Sequence, residues 1–445
     1  MRRWLPRSLW LIAWSLWGWL GWGLYRELPR DLGPPLAHLI SGAKLSLDGF
    51  LGGKPALVGE LYSAPWFLAD RERTIHCWDA QTGRELAQTG PFHVSRWAPD
   101  EPRLSLTHGV AIEGDESQQG SARRYKVWDL QTGIARALPE GFSQLLDLHA
   151  TRPWALLGSE RDQPTKVAIA DLGTGALIRA WDLSHAVPVK DALVHAGFFD
   201  DSDESLLVVL RTSVNSREWL IRLGTDSAVS SAVALARDYH RFGPPQGGRL
   251  VASAWEEEDA IDEVLDCATG RAVWSSVAQG DAAIVLALGA PSIILAARGT
   301  RVYCPTTGLT DIASGATVWA PESGAEDSFL RLAGTNAFWV RETWPVRLRR
   351  LTSGTLRTTW ALRSLDDGRL IVRLWEQVCL NDTRTLAATH EGAVYAWPAS
   401  ANYLLFALCQ SILALPLLLT WLALRWRRIR HRHGAVRSAA PEAVQ

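Results

Sequence analysis

Short apolar runs, each ended by the same kind of polar turn, recur along the middle of the chain. Seven such segments align without a gap: IHCWDAQTG ending at Gly83, YKVWDLQTG at Gly133, VAIADLGTG at Gly175, EWLIRLGTD at Asp226, DEVLDCATG at Gly270, TRVYCPTTG at Gly308 and VRLRRLTSG at Gly354. Their mean interval, (354 − 83)/6, is about 45 residues, which is the length of one four-stranded propeller blade. The pattern therefore predicts an all-β propeller.

The polar turn has a physical explanation at each repeat. An Asp three residues before a Thr can accept backbone N–H bonds within the turn. The Gly that follows can adopt a positive φ at little steric cost before the chain reverses. We therefore predict structural turn residues at Asp79, Gly83, Asp129, Gly133, Asp171, Gly175, Asp266, Gly270, Gly308 and Gly354.

The last repeat indicates how the ring closes. LAATHEGAVYAW (386–397) has the pattern of the second and third strands of an eighth blade, but the chain then becomes continuously apolar. The alternating stretch AKLSLDGFL (43–51) lies ahead of the first blade, and we predict that it supplies the missing outer strand. Such closure leaves no open sheet edge. Eight blades over residues 43–399 are predicted, with seven as the alternative.

Two apolar segments flank the repeats. Residues 8–25 contain 18 residues without a charge and follow Arg2, Arg3 and Arg7, so they can form a membrane helix or a cleaved signal peptide. The next residues offer no small-x-small cleavage site, which favours an uncleaved anchor. Residues 403–424 are also uncharged and long enough to span a bilayer.

Basic residues mark the outer end of each apolar segment. Residues 1–7 form a short stub, and the tail 425–445 begins with a run rich in Arg and His. Because Arg-rich short segments face the cytoplasm, we predict that both termini are cytoplasmic. The linker 26–42 and the propeller would then be extracytoplasmic, in the periplasm. A tail that binds anionic lipid or nucleic acid is the alternative interpretation.

Composition narrows the function classes only a little. The net charge of −1 gives no reason to expect nucleic acid as a partner. Trp is abundant, with 23 residues, and we expect Trp78, Trp128, Trp274 and Trp397 to pack between blades. The five Cys residues form no CxxC pair, and their pairing stays open.

Two of the turn segments, CWDAQTG and VWDLQTG, resemble those of the WD-repeat family, and DCATGRAVW (266–274) resembles the blade-docking pattern of quinoprotein-like propellers. The second resemblance implies, as one alternative, a quinone-dependent dehydrogenase with a calcium-bound cofactor in its channel. The chain lacks the adjacent Cys pair and the long insertions common in those enzymes. We therefore expect no cofactor and no enzymatic activity.

The preferred functional hypothesis is a protein-binding scaffold, because loops on a rigid frame usually carry recognition. Four long loops fall between predicted second and third strands and should emerge on one face: 110–124, 159–166, 209–218 and 254–263. A sensor that signals through the basic tail is the alternative. The acidic cluster at 200–204 raises a calcium hypothesis, although its spacing fits no known loop. His76, His195 and His390 are interpreted as structural.

Overall fold

A computed structural model shows eight four-stranded sheets, each with its strands in antiparallel order, and the predicted eight-bladed propeller is confirmed. In seven sheets the four strands follow one another along the chain. The structure describes residues 5–39, 45–52, 54–62, 70–95, 103–115, 124–159, 164–188, 191–200, 205–212, 217–224, 229–256, 259–278, 294–296, 299–304, 308–320, 330–332, 337–343, 358–381, 383–389, 391–397 and 403–438.

The first four blades account for the first half of the ring. Blade 1 contains β2 (Leu45–Phe50), β3 (Ala56–Tyr62), β4 (Asp70–Asp79) and β5 (Glu85–Ser95). Blade 2 contains β6 (Arg103–Ser105), β7 (Val110–Asp115), β8 (Arg124–Asp129) and β9 (Ala135–Ala137). Blade 3 contains β10 (Phe142–Leu148), β11 (Trp154–Ser159), β12 (Lys166–Asp171) and β13 (Leu177–Asp182). Blade 4 contains β14 (Ala192–Phe199), β15 (Ser205–Thr212), β16 (Glu218–Gly224) and β17 (Val229–Ala234).

The second half repeats this order until the last blade. Blade 5 contains β18 (Tyr239–Phe242), β19 (Arg249–Glu256), β20 (Asp259–Asp266) and β21 (Ala272–Ala278). Blade 6 contains β22 (Ile294–Ala296), β23 (Arg301–Cys304), β24 (Gly308–Asp311) and β25 (Thr317–Trp319). Blade 7 contains β26 (Leu330–Leu332), β27 (Ala337–Thr343), β28 (Thr358–Ser364) and β29 (Leu370–Leu374). Blade 8 contains β30 (Val378–Leu380), β31 (Leu386–Thr389), β32 (Ala393–Ala396) and β1 (Ala37–His38).

The core lies between blades rather than inside any one of them. Successive residues Leu156 and Leu157 of β11 point to opposite faces of blade 3, yet both are fully buried. Leu156 packs in a cluster shared with blade 4, whereas Leu157 packs in a cluster shared with blade 2. Because both faces of a blade need a neighbour, the apolar runs of the sequence stabilise only a stacked ring.

The strand that closes the ring differs from the one predicted. Within the predicted stretch, Leu45–Phe50 form β2, the innermost strand of blade 1, and the outer strand of blade 8 is β1 (Ala37–His38). In β1, Ala37 pairs with Val394 and His38 with Ala393. The prediction of a closing strand from the N-terminal side is therefore confirmed, but its residues were wrong. The alternation of 43–51 marks an inner strand as well as an outer one, and pattern alone cannot separate the two.

Two turns also differ from the prediction. Gly308 is the first residue of β24, and the turn between the third and fourth strands of blade 6 lies at Asp311–Gly315. In blade 7 the corresponding turn lies at Ser364–Gly368, while Gly354 falls outside the described residues. Both turns depart from the Asp-x-x-Thr-Gly pattern. The repeat pattern therefore matched the neighbouring segments that end at Gly308 and Gly354 instead.

Each end of the chain forms a helix, α1 (Leu5–Glu27) and α2 (Tyr403–Ser438). The helices contact each other near the propeller, where the rings of Tyr25 and Phe406 meet edge to face with centroids 5.1 Å apart. A Cβ placed on Gly21 would overlap the side-chain amide of Gln410. Within the described residues of the two helices, no stretch is long and apolar enough to be a candidate membrane span.

The linker predicted at 26–42 is docked on the propeller in its described part. Leu28 and Leu39 are buried, and the backbone N–H of Arg30 donates to the carbonyl of Arg373 at 2.8 Å. Leu32 packs beside the cluster between blades 7 and 8. Residues 28–39 therefore belong structurally to the ring.

Candidate functional site

A cluster of buried and partly exposed charged side chains lies where blade 4 meets blade 5. It sits at the end of the strands that carries the loops between second and third strands, beside loops 209–218 and 254–263. Its members come from five strands and one connection: His195 on β14, Arg211 on β15, Glu218 on β16, Arg237 and Asp238 in the connection ahead of β18, Tyr239 on β18 and Glu263 on β20. We call this set the blade 4–5 network.

Glu218 is the centre of the network, and its side chain is completely buried. Its Oε1 accepts from Nδ1 of His195 at 2.7 Å and lies 3.2 Å from Nε of Arg211. Its Oε2 accepts the backbone N–H of Tyr239 at 2.9 Å. A buried carboxylate is tolerated only when it is paired and hydrogen-bonded, and these three donors provide that environment.

Local strand geometry positions the partners of Glu218. Arg211 lies directly opposite Glu218 in the β15–β16 ladder, which brings the two side chains together. His195 lies at a register shift in β14, between the paired residues Val194 and Ala196. Such a bulge redirects a side chain out of the regular alternation, and here it turns the imidazole toward Glu218.

The network continues from blade 4 into blade 5. Nη2 of Arg211 donates to Asp238 and to the carbonyl of Tyr239, the latter at 3.0 Å. The Tyr239 hydroxyl donates to Oε2 of Glu263 at 2.5 Å, and Arg237 lies 3.4 Å from the other oxygen of Glu263. Acidic and basic groups thus alternate across the blade junction.

Burial shifts the protonation of two members of this region. Desolvation raises the pKa of Tyr239, and the hydrogen bond to Glu263 raises it further, so the hydroxyl stays protonated. Desolvation, followed by the charge of Arg241, lowers the pKa of His240, so the neutral imidazole is favoured. Tyr239 therefore acts in the network as a hydrogen-bond donor to Glu263.

Three charged side chains of the network are partly exposed to solvent, where a partner could contact them. The side chain of Asp238 is half exposed, at 50%, while those of Arg211 and Arg237 are about one-third exposed at 29% and 33%. These groups are held in place by buried neighbours, which lowers the entropic cost of engaging them. Among the described residues, no group of three His, Cys, Asp or Glu side chains could hold a metal ion.

The predicted recognition loops are placed on one end of the ring by the strand order. Each connects the second and third strands of its blade, so all four emerge at the same end, and their central residues lie outside the described part. Part of the acidic charge of loop 254–263 is buried. Asp262 and Glu263 are buried, and the Ser253 hydroxyl donates to Asp262 at 2.5 Å. Residues 201–204 of the acidic cluster are outside the described part.

Two of the three predicted histidines lie in the described part, and both have polar partners. His76 Nδ1 lies 2.6 Å from Glu85 and its Nε2 lies 3.0 Å from the Thr74 hydroxyl. Its ring stacks on Trp78 at 5.5 Å. His195 joins the blade 4–5 network, and His390 lies outside the described residues.

The predicted tryptophans lie at blade boundaries. Trp78 is fully buried between blades 8 and 1, and Trp128 meets Phe92 of blade 1 edge to face at 5.8 Å. Trp274 packs beside the cluster that joins blades 5 and 6. Trp397 packs beside the cluster that joins blades 7 and 8.

The predicted turn residues form short local hydrogen bonds. Asp79 Oδ1 accepts the backbone N–H of Thr82 at 2.7 Å, and the equivalent bond from Thr132 to Asp129 is 2.9 Å. The equivalent bonds at Asp171 and Asp266 are 2.7 Å and 2.8 Å. The turn glycines Gly83, Gly133, Gly175 and Gly270 all have positive φ, between 66° and 74°.

The turns also pack against neighbouring blades, a role that the sequence indicated only through the resemblance of 266–274 to a blade-docking pattern. A Cβ on Gly133 would lie 3.3 Å from the carbonyl of Gln88, on the outer strand of blade 1. A Cβ on Gly270 would lie 3.0 Å from Val233, on the outer strand of blade 4. In both cases the turn packs against the outer strand of the preceding blade. The repeated Gly at each turn was the available signal for this close approach.

Comparison with known proteins assigns no family to the chain. No protein-family model matches the chain, and no curated protein is similar to it in sequence. Similar solved structures include the Dos1 propeller (9% identity, 81% of this chain and 93% of that one, TM-score 0.46). Sqt1 of Chaetomium thermophilum is similar at 11% identity over 84% of this chain and 99% of that one, with a TM-score of 0.42. Hydrazine synthase of Kuenenia stuttgartiensis is similar at 11% identity over 84% of this chain and 98% of that one, with a TM-score of 0.35.

Proposed function

We propose that this protein is a protein-binding propeller anchored to a membrane by its two helices, with the propeller outside the cytoplasm. The observation that carries the proposal is the position of the helices. α2 follows β32 and α1 leads into β1, so both meet the ring where blade 8 would otherwise have a turn between its third and fourth strands. That end of the ring is opposite to the end that carries the recognition loops.

The exposed surface of the helices supports the membrane part of the proposal. Large apolar side chains away from the helix contact are strongly exposed, including Leu11, Trp19 and Trp22 on α1 and Leu418 and Leu419 on α2. Exposed apolar surface of this extent indicates an interaction with lipid or protein. The sequence from 403 to 424 contains no charge, and lipid can cover such a surface.

Charge supports the orientation. Tyr25 contacts Phe406, and Gly21, four residues earlier, approaches Gln410, four residues later. The two helices therefore run antiparallel. Continuing that register places Arg7 level with residue 424, next to Arg425. The basic ends of both helices then lie at one level, as expected for two helices whose basic flanks face the cytoplasm.

The end of the ring that carries the four long loops supports the proposal that the propeller binds a protein. Recognition usually resides on loops held by a rigid scaffold, and the four long loops emerge together at the end away from the helices. The blade 4–5 network lies beneath two of these loops and presents Asp238, Arg211 and Arg237 to solvent. We propose that a protein with matching charged groups binds there.

Vesicle flotation of the full chain tests the anchor. The double variant Leu418→Arg/Leu419→Arg should lose flotation with phospholipid vesicles, because two charges would enter the apolar surface. The matched control is Leu177→Arg/Ile178→Arg on the propeller, where exposure is similar at 50% and 46% against 52% and 56%. Equal flotation of both variants would contradict the anchor. Protease digestion of sealed vesicles of each orientation then tests which side carries the propeller.

Site-specific photo-crosslinking in intact membranes tests the binding face. A photoreactive residue at exposed position 217, in loop 209–218, should capture a defined protein, whereas one at exposed position 81 on the turn end should not. Capture of the same protein from both positions, or from position 81 alone, would refute recognition by the loop end.

A further inference from the structure

Exposed large apolar side chains on the ring share one position in the blades. Of the nine such side chains in the described part of the ring, eight lie where an outer strand begins, and Leu193 on the innermost strand β14 is the exception. Isolated exposed apolar residues are ordinary, but a shared position in seven of the eight blades calls for a cause. We call the eight residues the apolar rim: Leu36, Leu86, Ile134, Leu177, Ile178, Val229, Val273 and Ile371.

In blades 1, 3, 5 and 7 the rim residue is the extra residue of a β-bulge. In blade 1, Trp78 pairs with Glu85 and Cys77 pairs with Ala87, which leaves Leu86 without an opposite residue. A bulge redirects a side chain out of the regular alternation, and here it turns an aliphatic side chain toward solvent. The same register shift occurs at Ile178, Val273 and Ile371, and the four bulge residues are all 42–46% exposed.

The apolar rim lies at the turn end of the ring. Its bulge residues come three positions after the turn glycines, and three residues of a strand span about 10 Å. These turns join third to fourth strands, so they lie at the end opposite the four long loops, where α1 and α2 meet blade 8. At the far ends of outer strands β13 and β17 the exposed residues are Asp182 and Ala234, which are polar or small.

The rim continues the apolar surface of the helices. α1 contacts β29, the outer strand of blade 7 that carries Ile371. Leu36, at the start of the outer strand of blade 8, is 54% exposed. Leu418 and Leu419 on α2 are exposed to a similar degree, at 52% and 56%. Apolar surface therefore passes from the helices onto blades 7 and 8 and recurs at the same strand position around the ring.

Basic side chains lie beside the rim. Arg84 and Arg271 directly follow the turn glycines of blades 1 and 5, two residues before the bulge residue, and both are exposed. Arg369 has the same position in blade 7, where Asp367 lies 3.8 Å away and offsets part of its charge. Exposed aliphatic residues next to Arg are typical of surfaces that lie at the boundary between lipid headgroups and acyl chains.

The distribution of the rim selects its occupant. A protein partner of ordinary size covers about 800 Å² of surface, which is a sector of the ring, whereas the rim extends over seven of the eight blades. A lipid bilayer is planar and wide enough to meet all of them at once. We propose that the turn end of the ring rests on the bilayer, with the apolar rim at the boundary between headgroups and acyl chains.

This inference rests on the proposed membrane anchor and adds how the ring sits on the lipid. The helices hold the chain in the membrane, and the rim fixes the tilt of the ring. The four long loops then face away from the lipid, where a partner can reach them. Loss of rim residues should therefore leave flotation intact, as expected for Leu177→Arg/Ile178→Arg, and change only the contact of the ring with lipid.

Photo-crosslinking to lipid tests the rim. A diazirine amino acid is placed singly at rim positions 86, 178, 273 and 371 of the full chain, in vesicles of phosphatidylcholine and phosphatidylglycerol. Each should give several-fold more phospholipid adduct than exposed positions 182 and 234, at the far ends of β13 and β17. Equal yields from rim and far-end positions would overturn the proposal. Lipid capture confined to the blades that flank blade 8, or protein adducts in place of lipid, would overturn it as well.

The same probe at position 418 on α2 separates the rim from the anchor. Lipid adduct at 418 with none at the rim would refute the rim and leave the anchor standing. Lipid adduct at the rim with none at 418 would support the rim and refute anchoring through the helices. Absence of lipid adduct at every position would refute both.

Removal of the bulge residues tests whether they hold the ring on the lipid. In the variant Leu86→Ser/Ile178→Ser/Val273→Ser/Ile371→Ser, lipid capture from a probe at position 177 should fall several-fold, while flotation stays as in the unchanged chain. The matched control changes four exposed residues of outer strands that lie off the rim and should keep its lipid capture: Gln88→Ser/Ala180→Ser/Ala232→Ser/Ala234→Ser. Equal capture from position 177 in the two variants would refute a role of the rim in seating the ring.

Discussion

Replacement of Gly83 by Ala should destabilise the protein more than the same change at Gly315. Both glycines end a turn of the same kind, with φ of 70° and 67°, so the cost of a left-handed Ala is common to both. That cost is about 1–2 kcal/mol. The positions differ in their surroundings. A Cβ on Gly83 would lie 2.6 Å from the backbone oxygen of His38, whereas one on Gly315 has no heavy atom within 4 Å.

The difference between the two variants can be worked from these distances. Ordinary contact at such a Cβ begins at 3.4 Å, so the His38 carbonyl must move by 3.4 − 2.6, or 0.8 Å. Because the neighbour is backbone of the closing strand, no side chain can rotate away. Overpacking of this kind costs about 1–3 kcal/mol. We expect a total loss of about 2–5 kcal/mol for Gly83→Ala and about 1–2 kcal/mol for Gly315→Ala.

Urea unfolding of each full-length variant, followed by tryptophan fluorescence and far-ultraviolet circular dichroism, measures this difference. The two probes should shift together if the whole ring unfolds in one transition. Equal midpoints for the two variants would refute the claim that the blade 1 turn presses on the closing strand. A wild-type midpoint for Gly83→Ala would refute the left-handed conformation as well.

Three further predictions concern buried groups. Glu218→Ala should lower the free energy of unfolding by about 3 kcal/mol, because His195, Arg211 and the Tyr239 N–H lose their shared acceptor. The control Glu85→Ala removes a partly exposed pair and should lower the free energy of unfolding by less than about 1 kcal/mol. Equal urea midpoints for the two variants would contradict this prediction. Asp147 has a pKa raised to about 6 by burial, so its folded form binds protons more tightly than the unfolded chain and stability should fall as pH rises from 4 to 6. Asp147→Asn should remove that slope, as measured by thermal unfolding between pH 4 and 6, and an unchanged slope would exclude Asp147 as its source. Trp78→Ala should cost about 3–5 kcal/mol, since the side chain is fully buried between blades, and a loss under 1 kcal/mol in urea unfolding would contradict that packing.

Much of the fold was predictable because a blade is defined by local signals. The bonds from Thr82 to Asp79 and from Thr269 to Asp266 join residues three positions apart, so the turn chemistry is visible in any window of five residues. Repetition of that window at intervals near 45 residues then predicted stacked blades and their number. Where the local signal weakened, at Asp311–Gly315 and Ser364–Gly368, the prediction moved to the wrong segment.

The sequence by itself determined the repeat, the turn residues and the apolar ends, because each depends on neighbours in the chain. Only the tertiary structure decided that β1 closes the ring, that Glu218 gathers donors from three other segments, and that both helices replace one turn. Those contacts join residues separated by tens to hundreds of positions, and their partners are chosen by the register and stacking of whole blades. No short pattern records that choice, since the same alternation suits an inner strand such as β2 and an outer one equally well.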